Sequence, residues 1–239
     1  SLQAKQVWRY LPHEVPEGVR QWVREALEAG TLEDIEAAWR GDIRDFPYRS
    51  KSQDGPGEFH LAGKARDVLF KYAADWPAIH GIAGDFEFDR ASLRLQAQRA
   101  TAMEVALAGI EARIDDLAQG ILALQGRAEG DAGHMVRFVN ASPLAAALGD
   151  VTRAMSAKGA AKLALELRLP LRDMDAFTVR GDLDLAGATL DYEPVGAPLE
   201  AITGRLQFTG NSLAFNGVRA RLVNAPMILA GGTREGGRM

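Results

Sequence analysis

The two-residue alternation of apolar and polar side chains constrains this chain more than any other feature. "VLFKY" (68–72), "FEF", "LRLQA", "MEVALAG", "IEARI", "LALQGRAEG", "MVRFV", "KLALELRL", "TVRGDLDL", "RLQF", "LAFNGVRARL" and "MILA" follow one another in the sequence. Short breaks of Gly, Asp, Asn or Pro separate them. A period of two is the geometry of a strand whose faces differ. Runs of about five to eight residues between such breaks predict a mainly β fold, a long antiparallel meander.

Two stretches depart from that period. From Pro16 to Gly30, Val19, Trp22, Val23, Ala26 and Leu27 recur at three- and four-residue spacing. This predicts an N-terminal helix, with Pro16 near its start and Gly30 as its stop. "DIEAAWR" after it reads as a strand, and "RSKSQDGPGE" (49–58) as a loop. The Ala- and Leu-rich segment Pro143–Met155 predicts one inserted helix, with Ser142 as N-cap and Pro143 at N1. The expected organisation is a helix-containing segment over 1–48, packed on a repeated β-hairpin segment over 57–239.

Within the alternation one phrase is written three times. "GDFEFDRASLRL" (84–95), "GDLDLAGATLDY" (181–192) and "GRLQFTGNSLAF" (204–215) share a first glycine, a hydroxyl residue at position nine and four apolar positions. Those positions are Phe86, Phe88, Leu93 and Leu95; Leu183, Leu185, Leu190 and Tyr192; Leu206, Phe208, Leu213 and Phe215. "GEFHLAG" from Gly57 is a looser fourth copy with a longer turn before "VLFKY". Each phrase predicts a β-hairpin around a four-residue turn, in which Gly187 and Gly210 supply positive φ. Its apolar positions then share one face. The polar positions are not kept between copies: Asp85, Glu87 and Arg94 become Asp182, Asp184 and Asp191, then Arg205, Gln207 and Ala214. That face is therefore read as solvated surface. The apolar face has two readings: a closed core, or a partly open groove for an apolar ligand.

The rest of the sequence narrows the chemistry. With no cysteine among 239 residues, disulfides, thiolate metal sites and thiol catalysis are excluded. The net charge of −4 and the lack of a basic stripe argue against a nucleic-acid partner. His13, His60, His80 and His134 are scattered; Glu58 and His60 share a strand face but lack a third metal ligand. Asp182 and Asp184 share a face, yet Arg205 and Gln207 replace them in the next copy, which argues against a carboxylate pair. Asp115 and Asp116 are adjacent, so in a strand they would point to opposite faces. No nucleophile elbow or phosphate-cradling glycine loop is present, so no enzyme, metal or cofactor is expected. No apolar run approaches the ~20 residues of a membrane-spanning helix. The chain opens on Ser1, and it is read as a piece of a longer protein.

"WRYLPHEVPEGVRQWVREALEAGTLEDIEAAWRGDIRDFPY", then "DWPAIHGIAGDFEFDRASLRL", "NASPLAAAL", "LPL…GDLDLAGATLDY" and "LEAITGRLQFTGNSLAF" follow in an order that resembles the YhdP-like family of the AsmA-like superfamily. The resemblance covers nearly the whole chain. It implies a periplasmic region of a protein anchored in the inner membrane of a Gram-negative bacterium. It also implies a long, curved β-sheet with an apolar groove that carries phospholipid acyl chains between inner and outer membranes. The twelve apolar residues of the three phrases would line that groove, and no catalytic residue is carried over. The other function expected of such a chain is a structural or interaction module of the envelope with a sealed β-core.

Overall fold

The computed structural model describes residues 1–232 apart from 12, 14, 47, 49–56, 148–150, 174, 175 and 211. The loop expected over 49–58 falls outside them, save Gly57 and Glu58, which open a strand. Twelve strands form one open antiparallel sheet in strict chain order. They are β1 (Leu2–Gln3), β2 (Leu27–Gly41), β3 (Gly57–Phe70), β4 (Ile79–Asp89), β5 (Ser92–Ala102) and β6 (Val105–Ile114). The series continues with β7 (Ile121–Asp131), β8 (Met155–Pro170), β9 (Thr178–Tyr192), β10 (Leu199–Thr209), β11 (Leu213–Leu222) and β12 (Ala225–Gly232). Helix α1 (Glu17–Ala26) precedes β2, and α2 (Ala132–Asn140) and α3 (Leu144–Ala147) lie between β7 and β8. The mainly β meander expected from the alternation is thus present, with α1 and the short α3 inside the expected helical stretches and α2 outside them.

The strands β2 to β11 are 10 to 16 residues long, about twice the alternating runs. The difference has a physical reason. Many glycine and aspartate breaks between runs are β-bulges inside a strand, not turns between strands. Pairing register shifts between Glu33 and Glu36, Ala65 and Val68, His80 and Ala83, Ala108 and Glu111, Lys158 and Ala160, Leu199 and Ile202, and Phe215 and Val218. At or beside these shifts Asp34, Asp67, Gly81, Gly109, Gly187, Ala201 and Gly217 take φ between 49° and 72°. A bulge bends its strand and raises its twist. An oblique band of bulges therefore bends the whole sheet.

This corrects the expected hairpins. "GDFEFDRASLRL" is the β4–β5 hairpin and "GRLQFTGNSLAF" the β10–β11 hairpin. "GDLDLAGATLDY" lies wholly within the single strand β9, and "GEFHLAG" with "VLF" lies within β3. Gly187 does take positive φ, but at a bulge. In the first hairpin the left-handed residue is Arg90, and Gly210 has no positive φ.

Other expectations also shift. α1 ends at Ala26, four residues short of Gly30, because β2 begins at Leu27. Gly30 lies in that strand, where a Cβ would meet Asp67 and Val68 backbone atoms within 3 Å. "MVRFV", expected as a strand, is helical in α2. Asp131 overrides the alternation there: its side chain accepts the Gly133 N–H at 2.8 Å as an N-cap. Of the expected Pro143–Met155 helix, the described residues form α3 and a 3₁₀ turn, Val151–Ala154. Ser142 donates its hydroxyl to the Val139 carbonyl at 2.9 Å, tying the end of α2 rather than forming the expected side-chain N-cap.

Candidate functional site: the apolar sheet face

All twelve apolar residues of the three phrases lie on β4, β5, β9, β10 and β11. Phe86 stands opposite Leu95, and Phe88 opposite Leu93. Leu206 stands between Leu183 and Phe215, and Phe208 faces Leu213. Leu190 is opposite Leu199 and Ala157, and Tyr192 opposite Met155. In an unbroken strand Leu185 and Leu190, five residues apart, would point to opposite faces. The bulge at Gly187 adds one residue and returns both to the same side. Both accordingly pack on a single cluster of Ala188, Ile202, Val218 and Ala220, together with Phe215.

Cross-strand register joins the two patches through residues outside the repeat. One row runs Leu61, Phe88, Leu93, Ile114, Leu122, Leu169 across β3 to β8. Another runs Ala128, Leu163, Leu183, Leu206, Phe215 across β7 to β11. The strands β6 to β8 carry the face between the patches. Their alternation, "LALQGRAEG" and "KLALELRL", carries that signal but lies outside the three repeated phrases.

Three of the phenylalanines lie over glycines on the next strand. Phe86 is opposite Gly63, Phe208 opposite Gly181 and Phe215 opposite Gly231. A Cβ at Gly63 would meet the Phe86 ring at 2.8 Å, and one at Gly231 the Phe215 ring at 3.0 Å. The rings therefore lie down along the sheet, covering backbone that glycine leaves bare. The first glycine of the second phrase, Gly181, is thus the seat of a phenylalanine from the third.

None of the twelve residues is fully buried: ten are half-buried, while Leu95 and Leu213 are 37% and 38% exposed. The small buried cluster beneath the β9–β11 patch consists of strand residues alone. Such burial without a second layer is what the inside of a bent sheet provides, where neighbouring side chains converge.

The opposite face is polar and paired across strands. Arg205 donates to Asp184 at 2.7 and 2.8 Å, and Gln207 to Asp182 at 2.7 Å. Lys64 meets Asp34 at 2.7 Å and Lys162 meets Glu129 at 3.0 Å. Hydrogen bonding to Arg205 holds the Asp184 carboxyl below its usual range, and Lys64 does the same for Asp34. These groups are solvent-exposed, so each pair adds little stability. Asp182 and Asp184 are engaged with amide and guanidinium, consistent with a solvated face. His60 approaches Glu87 at 4.0 Å, and Glu58 is opposite Arg40. Among the described residues no three His, Asp or Glu side chains gather as a metal site. No helix among them is long and apolar enough to cross a membrane.

An open, bent antiparallel meander with one apolar face and one self-paired polar face defines a class: a single-sheet β protein whose apolar face is only partly buried among the described residues. The chain belongs to the YhdP family, whose model, described as YhdP protein, matches residues 1–239. It is similar to the intermembrane phospholipid transporter YhdP of Escherichia coli (strain K12), with 22% identity over 234 residues. That alignment covers 98% of this chain and 18% of the relative, so the chain spans about a fifth of the relative's length. No solved structure matches it.

Proposed function

We propose that this chain is one segment of a bridge-like phospholipid transporter. Acyl chains would slide along its apolar face while head groups stay in water. The observation that carries the reading is the exposure of the apolar rows: Phe86, Phe88, Leu183, Leu206, Phe208 and Phe215 are only half-buried. Burying apolar area is worth about 25 cal/mol per Å², so a face left open at this cost favours a ligand that covers it. The E. coli relative's role in phospholipid transport supports the same substrate class. No covalent step is needed, so the segment acts without catalytic residues or cofactor. Its place would be the periplasm, within a protein reaching inner and outer membranes through other parts of the chain.

Gentle native mass spectrometry of the purified protein tests this, with co-purified phospholipid expected. Phe86→Glu discriminates the sealed-core module. On an open face the charge stays in water, so lipid is lost with a stability change within about 1–2 kcal/mol. Global unfolding by the same substitution would mean that the face is closed, since an unpaired buried charge is far more costly.

A further inference from the structure

We infer that α2 is a latched bar over the apolar face, and that it governs lipid movement past β4–β7; this rests on the lipid-carrying reading above. The helix leaves β7 and the chain returns as β8, and these strands are direct neighbours with Asp131 opposite Ala160. The return point, Met155, lies five residues along β8 from Ala160, so the segment leaves and re-enters the sheet on neighbouring strands, as a flap does. The flap holds itself together: Asn140 and Thr152 exchange hydrogen bonds of 3.1 and 2.7 Å, tying α2 to the 3₁₀ turn before β8. At its base Asp131 accepts from Gly133 N–H and Gly159 N–H at 2.8 and 2.7 Å.

From that base α2 reaches across the strand ends. His134 and Arg137 meet Glu104, in the β5–β6 turn, at 3.1 and 3.2 Å. Phe138 meets Trp76, in the β3–β4 connection, with ring centroids 6.2 Å apart. Trp76 continues through Tyr72 (5.7 Å) to Phe70 (6.0 Å), which is on the apolar face, and to Trp22 of α1 (5.9 Å). The ends of the strands reached this way are buried at Val68, Ala100, Ala102 and Val105. Among the described residues, the main contacts of β9 to β12 are with neighbouring strands.

The latch is weaker than the base. Arg137 and Glu104 are 56% and 71% exposed, so their attraction is screened by water. His134 Nδ1 is buried without a hydrogen-bond partner, a cost of the closed position that swinging the helix into water would relieve.

This segment has no cysteine, so a pair introduced into a full-length protein cleared of any other cysteine forms one defined disulfide. In the full-length protein, E104C/R137C forms a reducible lock across the latch, and Phe138→Ala weakens it. Transfer of fluorescent phospholipid from donor to acceptor liposomes is the first readout. Lipid capture by a photoreactive residue at Leu213, on the apolar face of strand β11, is the second. The expected result is a several-fold slower transfer by the oxidised lock, restored by reductant, with capture retained and F138A no slower than the parent. Equal transfer by oxidised and reduced protein, with capture intact, overturns the bar and leaves the conduit standing. Absence of capture in every form overturns both.

Discussion

At the residue scale the recurring first glycine has a structural meaning that differs between copies. In the second phrase it is a seat for a ring. Gly181→Ala places a methyl under Phe208 and forces the ring off the sheet, which overpacking series put at about 1–3 kcal/mol. Urea denaturation should show that loss. Gly187→Ala meets no neighbouring atom and carries only the strain of positive φ, so it should cost about 1 kcal/mol. A larger loss at 187 than at 181 would mean that ring seating does not order the sheet. The sequence showed which apolar positions repeat, but not that Phe86, Phe208 and Phe215 each need a glycine on the next strand. That pairing depends on register, which links residues 16 to 27 positions apart.

At the element scale, α2 is held at its start by a carboxylate. Asp131→Ala removes the acceptor for two backbone N–H groups and should cost about 1–2 kcal/mol, with Asp131→Asn retaining part of it. The backbone bonds from Gly159 and Gly133 hold the Asp131 carboxyl below its usual range. A depressed folded value means the contribution is complete above the unfolded value, near ~3.9, and fades as pH falls through the folded one. The parent should therefore lose stability below about pH 4 more steeply than D131N, measured as melting temperature against pH. Here alternation alone misled: "MVRFV" alternates like a strand, and the cap four residues before it decides otherwise. Gly30 and Gly187 misled for a related reason. Sequence marks where the backbone departs from regular geometry, while pairing on both sides decides whether that departure ends an element or bends it.

At the scale of the whole molecule, strands contact their sequence neighbours and almost nothing else. Such a sheet has the nearest-neighbour energetics of repeat proteins, so its parts can open separately. Ile202 and Val218 are 5% and 3% exposed in the cluster under β9 to β11. Ile202→Ala should cost about 2–5 kcal/mol. Hydrogen exchange should then rise in β9 to β12 while β3 to β7 keep their protection. Uniform loss of protection would show a single cooperative unit instead.

By itself the sequence determined that this chain is a β-meander with one apolar face, one replaceable polar face and no thiol chemistry. Those conclusions follow from side-chain period and residue type, which are local properties. Tertiary structure alone decided that ten- to sixteen-residue strands run through the breaks, that bulges bring Leu185 and Leu190 to one side, and that among the described residues β9 to β12 make their main contacts with neighbouring strands. Openness is a relation between distant parts of the chain: period two states which side chains share a face, and only the packed molecule states whether anything lies over them.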